Sequence, residues 1–242
     1  MLARRLYSTA FWGFLATSSI ALFPVALGVW VVTLPFDPRK RVLHQFTCFW
    51  ASLYTWTNPL WPVSITGREK IRPGETYVMV SNHLSLLDIL VLFRLFRHYK
   101  WVSKIENFRI PFIGWNMRLN RYIELRRGER ESVIQMMADC ERTLRAGSSI
   151  LMFPEGTRSR TGELQAFKTG AFELALRTGS PILPIVIEGT SNALPKRGFV
   201  LRGRHPIRVR VLDPLPADSF AQMSAKELAE QTRALYAEQL GG

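Results

Sequence analysis

Residues 77–88 read Tyr77-Val78-Met79-Val80-Ser81-Asn82-His83-Leu84-Ser85-Leu86-Leu87-Asp88. The first five form a short, valine-containing apolar run bounded by polar residues, which predicts a strand over Tyr77–Ser81. His83 follows on a loop. Ser85 is a good N-cap for a helix expected over Leu86–Phe96, and Ser85-x-x-Asp88 reads as a capping box. His83 and Asp88 diverge within one continuous helix, because five residues rotate by about 500°. They meet only if His83 stays on the loop and Asp88 sits in the first helical turn, which is the arrangement that strand, loop and helix supply.

The same alternation extends downstream. Val63–Thr66, Trp101–Ser103, Tyr122–Leu125, Ser149–Phe153, Ile182–Ile187 and Ile207–Leu212 also read as strands. Arg130–Arg145, Lys168–Arg177 and Ala225–Leu240 read as helices, the second stopped by Gly179 and Pro181. The pattern predicts an α/β domain over residues 63–242: a largely parallel mixed sheet flanked by helices, with function at loops beyond the strand ends.

Upstream the pattern differs. Arg4 and Arg5 precede an uncharged stretch from Leu6 to Phe36, and a second runs from Val42 to Gly67. About 20 residues span a bilayer core, so either is long enough. Pro24 predicts a kink in the first. The second carries His44, Gln45 and Asn58, closes at Pro59 and Pro62, and is rich in aromatics of the type found at lipid–water boundaries. Residues 1–62 are therefore expected to form a membrane-associated two-helix hairpin, either spanning or dipping into one leaflet, with helices of a soluble core as the remaining reading. The long apolar run has no convincing small-residue site after it, which argues against a cleaved leader.

Composition narrows the choices. Of 242 residues, 32 are Lys or Arg and 19 Asp or Glu, for a net charge of +13; 47% are hydrophobic. That excludes a disordered tail. Two distant cysteines, Cys48 and Cys140, exclude a disulfide scaffold and suit free thiols in a reducing compartment. No metal-ligand spacing appears, so no metal is expected. The charge points to an anionic partner: lipid headgroups, a phosphorylated substrate or nucleic acid. The aromatics concentrate in the hairpin rather than among the basic residues, which disfavours nucleic acid.

Several segments have two readings. Asp88 caps a helix beside an ordinary loop histidine, or it orients His83 as a general base. No G-x-S-x-G nucleophile elbow exists, so such a base would act on a substrate hydroxyl. Phe153-Pro154-Glu155-Gly156-Thr157-Arg158-Ser159 is a polar loop with an internal Glu155–Arg158 pair, or a turn gathering donors around an anion. Arg126 and Arg127 are solvated, or face phosphate. Pro181–Ile187 reads first as a core strand. Lys196, Arg197, Arg202, Arg204, Arg208 and Arg210 hold anionic groups, or in part form a solvated strand face.

Four segments together resemble the motif blocks of the glycerolipid acyltransferases of the 1-acylglycerol-3-phosphate acyltransferase type: NHLSLLD (82–88), KIENFRIPFIG…YIELRRG (104–128), FPEGTRS (153–159) and PILPIVI (181–187). The resemblance implies an enzyme that makes phosphatidic acid from a membrane-resident lysophospholipid and an acyl thioester, acyl-CoA or acyl-carrier protein. It implies no cofactor and no acyl-enzyme intermediate. His83 would be the base, Asp88 its partner, and Lys104 a group near the developing oxyanion. Glu155, Gly156, Thr157 and Arg158 would form the glycerol-phosphate site, with Arg127 the best match for a phosphate-facing arginine. Pro181 would open the acyl-donor side. Asn107 and Asn120 depart from the usual pattern, which leaves acceptor and chain preference open. The activated donor is cytosolic, so the domain should face the cytosol from the inner membrane. A different lyso acceptor, or a non-catalytic protein binding anionic lipid, would share the scaffold.

Overall fold

The computed structural model describes residues 2–159, 161–194, 200–201 and 203–241. Two helices come first, α1 (Leu2–Thr33) and α2 (Arg41–Trp56). Then follow β1 (Val63–Thr66), β2 (Val78–Ser81), α3 (Leu87–Phe93), β3 (Tyr99–Lys104), α4 (Ile113–Leu119), β4 (Ile123–Leu125), α5 (Arg130–Arg145) and β5 (Ser149–Met152). The chain continues through α6 (Gly170–Thr178), β6 (Ile182–Glu188), the single turn α7 (Thr190–Ala193), β7 (Ile207–Val211) and α8 (Ala225–Gly241).

The strands form one sheet in the order β1-β7-β6-β2-β5-β3-β4. Every pairing is parallel except β6 with β7, so the expected mixed, largely parallel sheet is found. Strand alternation builds a three-layer sandwich. Val78 and Val80 face a layer containing α5, α6 and α8, whereas Tyr77 and Met79 face α1, α2 and α3. Pro184 brings no N–H to the β6 ladder. Beside it the Tyr236 hydroxyl of α8 accepts from Ile185 N at 2.9 Å and donates to Val80 O at 2.7 Å. One buried phenol thus satisfies a donor and an acceptor between β2 and β6.

The two N-terminal stretches have different fates. α1 runs unbroken through Pro24 and, at 32 residues, is long and apolar enough to cross a membrane. α2 is a layer of the domain itself. Leu43, Trp50 and Tyr54 are buried in the core that also holds Met79 and Leu87. Trp61 is buried as well, while Phe49 and Trp56 stay exposed. The boundary near residue 62 therefore separates helices from sheet, but not two separate cores.

A polar seam joins α2 to the sheet. Asp37 caps α2, its oxygens accepting from Arg41 N and Val42 N, each at 2.8 Å. His44 is buried, with Nδ1 2.8 Å from Tyr122 Oη and Nε2 2.9 Å from Arg97 O. Lys100 on β3 donates to Arg39 O at 2.8 Å and Asn120 O at 2.6 Å. Burial lowers its pKa to about 7. Asn120 donates to Thr47 Oγ1 on α2, which gives this departure from the family pattern a structural use.

Candidate active site

β2, β5 and β6 run parallel, so their carboxyl ends share one edge of the sheet. The chain leaving β2 goes through α3 to β3 on one side, and that leaving β5 goes through α6 to β6 on the other. Such a divergence opens a crevice beyond the strand ends. His83 and the 153–159 loop both lie there.

His83 Nδ1 is 2.8 Å from Asp88 Oδ2. The same oxygen accepts from Leu84 N at 2.6 Å and Ser85 N at 2.8 Å. Asp88 thus does both jobs that the sequence left as alternatives: it ties off the start of α3 and it holds the imidazole. The capping box is only half formed. Ser85 Oγ accepts from Leu87 N at 3.2 Å rather than from Asp88 N, and it donates to Leu194 O at 2.6 Å. The helix consequently starts at Leu87. It also ends at Phe93, three residues short of the expected Phe96, which has φ +50°. The remaining oxygen, Asp88 Oδ1, accepts from Thr190 Oγ1 at 2.5 Å.

Asp88 is fully buried, so an ionised carboxylate there needs every one of these donors. As an acceptor it fixes the proton on Nδ1 and leaves Nε2 with its lone pair. Among the described residues nothing hydrogen-bonds Nε2, and the His83 side chain keeps 12% of its surface exposed. The ring lies flat on Phe153, centroids 3.9 Å apart at 13°, and Phe153 stacks in turn on Trp101. The nitrogen aimed outward can accept a proton from a bound hydroxyl.

The 153–159 loop grips the His83 backbone from both sides. Glu155 Oε1 accepts from His83 N at 2.7 Å, and Ser159 N donates to His83 O at 2.8 Å. Glu155 Oε2 accepts from Gln165 N and Nε2. Glu155 is buried, and desolvation raises its pKa although these hydrogen bonds pull it down. Its carboxylate therefore sits behind the loop as an anchor for His83, a different placement from the substrate contact the resemblance implied. Gly156 has φ +69°, a backbone conformation that favours glycine, and it lies against the flexible end of the Lys168 side chain. Thr157 O accepts from Gln165 Nε2 at 2.9 Å. Asn82 fixes the other flank: its Nδ2 donates to Ile187 O and its Oδ1 accepts from Ile187 N, both at 2.8 Å.

The cations divide. Burial lowers the pKa of Arg158, Asp88 acts in the opposite direction, and Arg127 adds to the lowering. Arg158 therefore lies within electrostatic reach of both Asp88 and Arg127. Arg126 is 3.8 Å from Glu129, and Arg127 is exposed. Lys104 ends β3, beside Leu125 of β4, with no side-chain hydrogen bond among the described residues. Asn107 donates to Ser103 Oγ at 2.9 Å and secures the turn after β3. Arg210 is tied to Glu188 at 3.1 Å and to Gln239 O, so it belongs to the sheet, while Arg204 and Arg208 are exposed. Lys196, Arg197 and Arg202 lie outside the described residues.

Sequence reasoning missed Thr190, Phe153, Gln165 and Tyr236 as supports. The first and last act across 102 and 156 positions. Only the placement of Phe153 beside Pro154 at a strand end gave any local signal.

By class, these parts make a carboxylate–histidine site with arginines beside it, at the open edge of an α/β sheet. A family model described as Acyltransferase matches residues 62–188. A chloroplastic 1-acyl-sn-glycerol-3-phosphate acyltransferase of Arabidopsis thaliana is 36% identical over 202 residues, covering 81% of this chain and 56% of that protein. One from Brassica napus, also chloroplastic, is 34% identical over 234 residues, covering 95% and 67%. One from Saccharomyces cerevisiae is 35% identical, covering 71% and 57%. The crystal structure of the 1-acyl-sn-glycerophosphate acyltransferase PlsC of Thermotoga maritima superposes with a TM-score of 0.78 at 21% identity, covering 98% of this chain and 96% of that one. The chain belongs to the acyltransferase family. It spans just over half the length of the first of these relatives, 56%.

Proposed function

We propose that the chain moves a fatty acyl group from a thioester, acyl-CoA or acyl-carrier protein, to the free hydroxyl of 1-acylglycerol-3-phosphate, forming phosphatidic acid. The observation that carries this reading is the buried Asp88 holding Nδ1 of His83 while Nε2 has no partner among the described residues. The names of the relatives supply the substrate class.

In the proposed reaction Nε2 takes the hydroxyl proton as the oxygen attacks the thioester carbonyl. The tetrahedral intermediate collapses, the C–S bond breaks, and the imidazolium returns its proton to the departing thiolate. Asp88 stabilises the imidazolium between these steps. Lys104 at the end of β3, without a side-chain hydrogen bond among the described residues, would donate to the oxyanion. Arg127 and Arg158 are the groups for the acceptor's phosphate, where guanidinium forks match the geometry of an anion. A thioester is already activated, so a base worth about 10²–10⁴-fold together with orientation suffices. No metal or redox cofactor has a step in this scheme.

Membrane association belongs to the same proposal. α1 is about 48 Å long at 1.5 Å per residue, and its surface carries exposed Ile20, Val25, Leu27, Val31 and Val32. A lysophospholipid resides in the bilayer, so a helix embedded beside the site spares its extraction. Because the donors are cytosolic, the domain would face the cytosol from the inner membrane.

The test is thiol release by detergent-solubilised protein supplied with palmitoyl-CoA and 1-acylglycerol-3-phosphate, and separately with acyl-carrier protein as donor. Release that needs both substrates and vanishes in His83→Ala supports the reading. Folded protein that releases no thiol with either donor contradicts it and favours a lipid-binding role.

A further inference from the structure

We infer that the catalytic domain has a membrane contact of its own, the Arg109–Trp115 loop, which enters the lipid headgroup layer alongside α1. The inference rests on the membrane reading of α1.

The loop follows the one-turn helix Ile105–Arg109 and leads into α4. Its sequence, Arg109-Ile110-Pro111-Phe112-Ile113-Gly114-Trp115, carries no polar uncharged side chain. Ile110 and Trp115 are each 44% exposed. Phe112 adopts φ +62°, a conformation that residues with a side chain rarely take. The backbone is held there by Gly114 N donating to Ile110 O at 2.7 Å and Asn116 N donating to Phe112 O at 2.9 Å. Gly114 is packed so closely that a Cβ would lie 2.4 Å from Phe108 O. A fixed, strained turn thus leaves nearly half of the isoleucine and tryptophan surfaces in water.

Its position gives the exposure a partner. Phe23 of α1 packs edge-on against Phe112 at 5.9 Å and Trp115 at 5.4 Å. One turn to either side of Phe23, on the same helix face, are Ile20 and Leu27, 53% and 40% exposed. The loop and that face of α1 are one continuous apolar surface. Tryptophan is suited to the lipid–water boundary. The exposed Arg109, at the start of the loop, is a cation placed for anionic headgroups. Continuity with α1 and this charge select a bilayer with anionic lipid.

The experiment exploits the buried state of both native cysteines. An environment-sensitive fluorophore is attached through Ile110→Cys, and in a second protein through Val25→Cys on α1. Each full-length protein is mixed with vesicles of phosphatidylcholine and phosphatidylglycerol. A blue shift and brightening at both positions is the expected result. A shift at position 25 with an unchanged, water-like spectrum at 110 overturns the loop contact and leaves the membrane reading of α1 intact. No shift at either position overturns both. A shift at 110 that grows with protein concentration without vesicles assigns the patch to a second copy of the chain and overturns the lipid contact. As an independent measure, Trp115→Ala should weaken vesicle binding by roughly tenfold or more, the fold-change for withdrawing one large apolar side chain from burial. Unchanged binding would count against the contact.

Discussion

Two histidines, His44 fully buried and His83 partly exposed, spend their ring nitrogens differently. His44 gives one nitrogen to Tyr122 and the other to Arg97 O, and so has no hydrogen-bonding capacity left. His83 gives one to Asp88, and among the described residues the other has no partner. The contrast repeats along β3, where Lys100 is consumed by two carbonyls and Lys104, among the described residues, by none. It repeats again in the carboxylates: Asp37 caps α2, whereas Asp88 caps α3 and also orients a ring. Residue type alone does not separate a seam from a site. What separates them is valence left unspent at the surface of a crevice.

The predictions press on that contrast. The largest effect belongs to His83→Ala, which should lower acyl transfer by about 10²–10⁴-fold, the usual worth of a general base, as read by thiol release. Thr190→Val should follow. It removes a donor from a buried carboxylate, worth about 1.5–3 kcal/mol, or roughly 10- to 100-fold in turnover if Asp88 loses its aim. Thr190→Ser should restore most of the rate, and a failure of that rescue would make the effect one of packing. His44→Leu should cost about 2–4 kcal/mol in denaturant unfolding, because Tyr122 and Arg97 O lose their partner. Its folded fraction should turn over normally.

The smallest effect is a slope. Lys100 falls to about 7 in the folded chain from an ordinary value of 10.5. Between those values the unfolded chain holds the extra proton, so stability rises with pH through that window; below it the full penalty applies. Lys100→Met should flatten the gain, about 1 kcal/mol per pH unit, when midpoints are compared at pH 7.5 and 9. An unaltered slope would mean that Lys100 stays charged at its carbonyls.

The sheet was legible because its strands are short, branched and bounded, and Val63–Thr66 and Arg130–Arg145 appear with the expected limits. β3 was read two residues late because Tyr99-Lys100 looks like polar surface. Only tertiary contacts show that Lys100 hands its charge to backbone oxygens. α4 was missed because Pro111 and Gly114 punctuate a seven-residue helix with too few turns to show a period. α2 was read with α1 because both lack charge over long stretches, although its buried face holds His44, Thr47 and Ser52. At the site, the His83–Asp88 meeting followed from one strand, one loop and one turn. The hold of Glu155 on His83, over 72 positions, did not. Nor did that of Thr190 on Asp88. Contacts of that range have no local pattern to betray them.

The most direct test sets the two histidines side by side. Thiol release and denaturant unfolding would be measured on the same preparations of wild type, His83→Ala and His44→Leu. A crossed result is predicted: His83→Ala, still folded although Asp88 loses one donor, releases almost no thiol, whereas His44→Leu unfolds early and turns over normally while folded. A His83→Ala protein that still transfers acyl groups at the wild-type rate would contradict it.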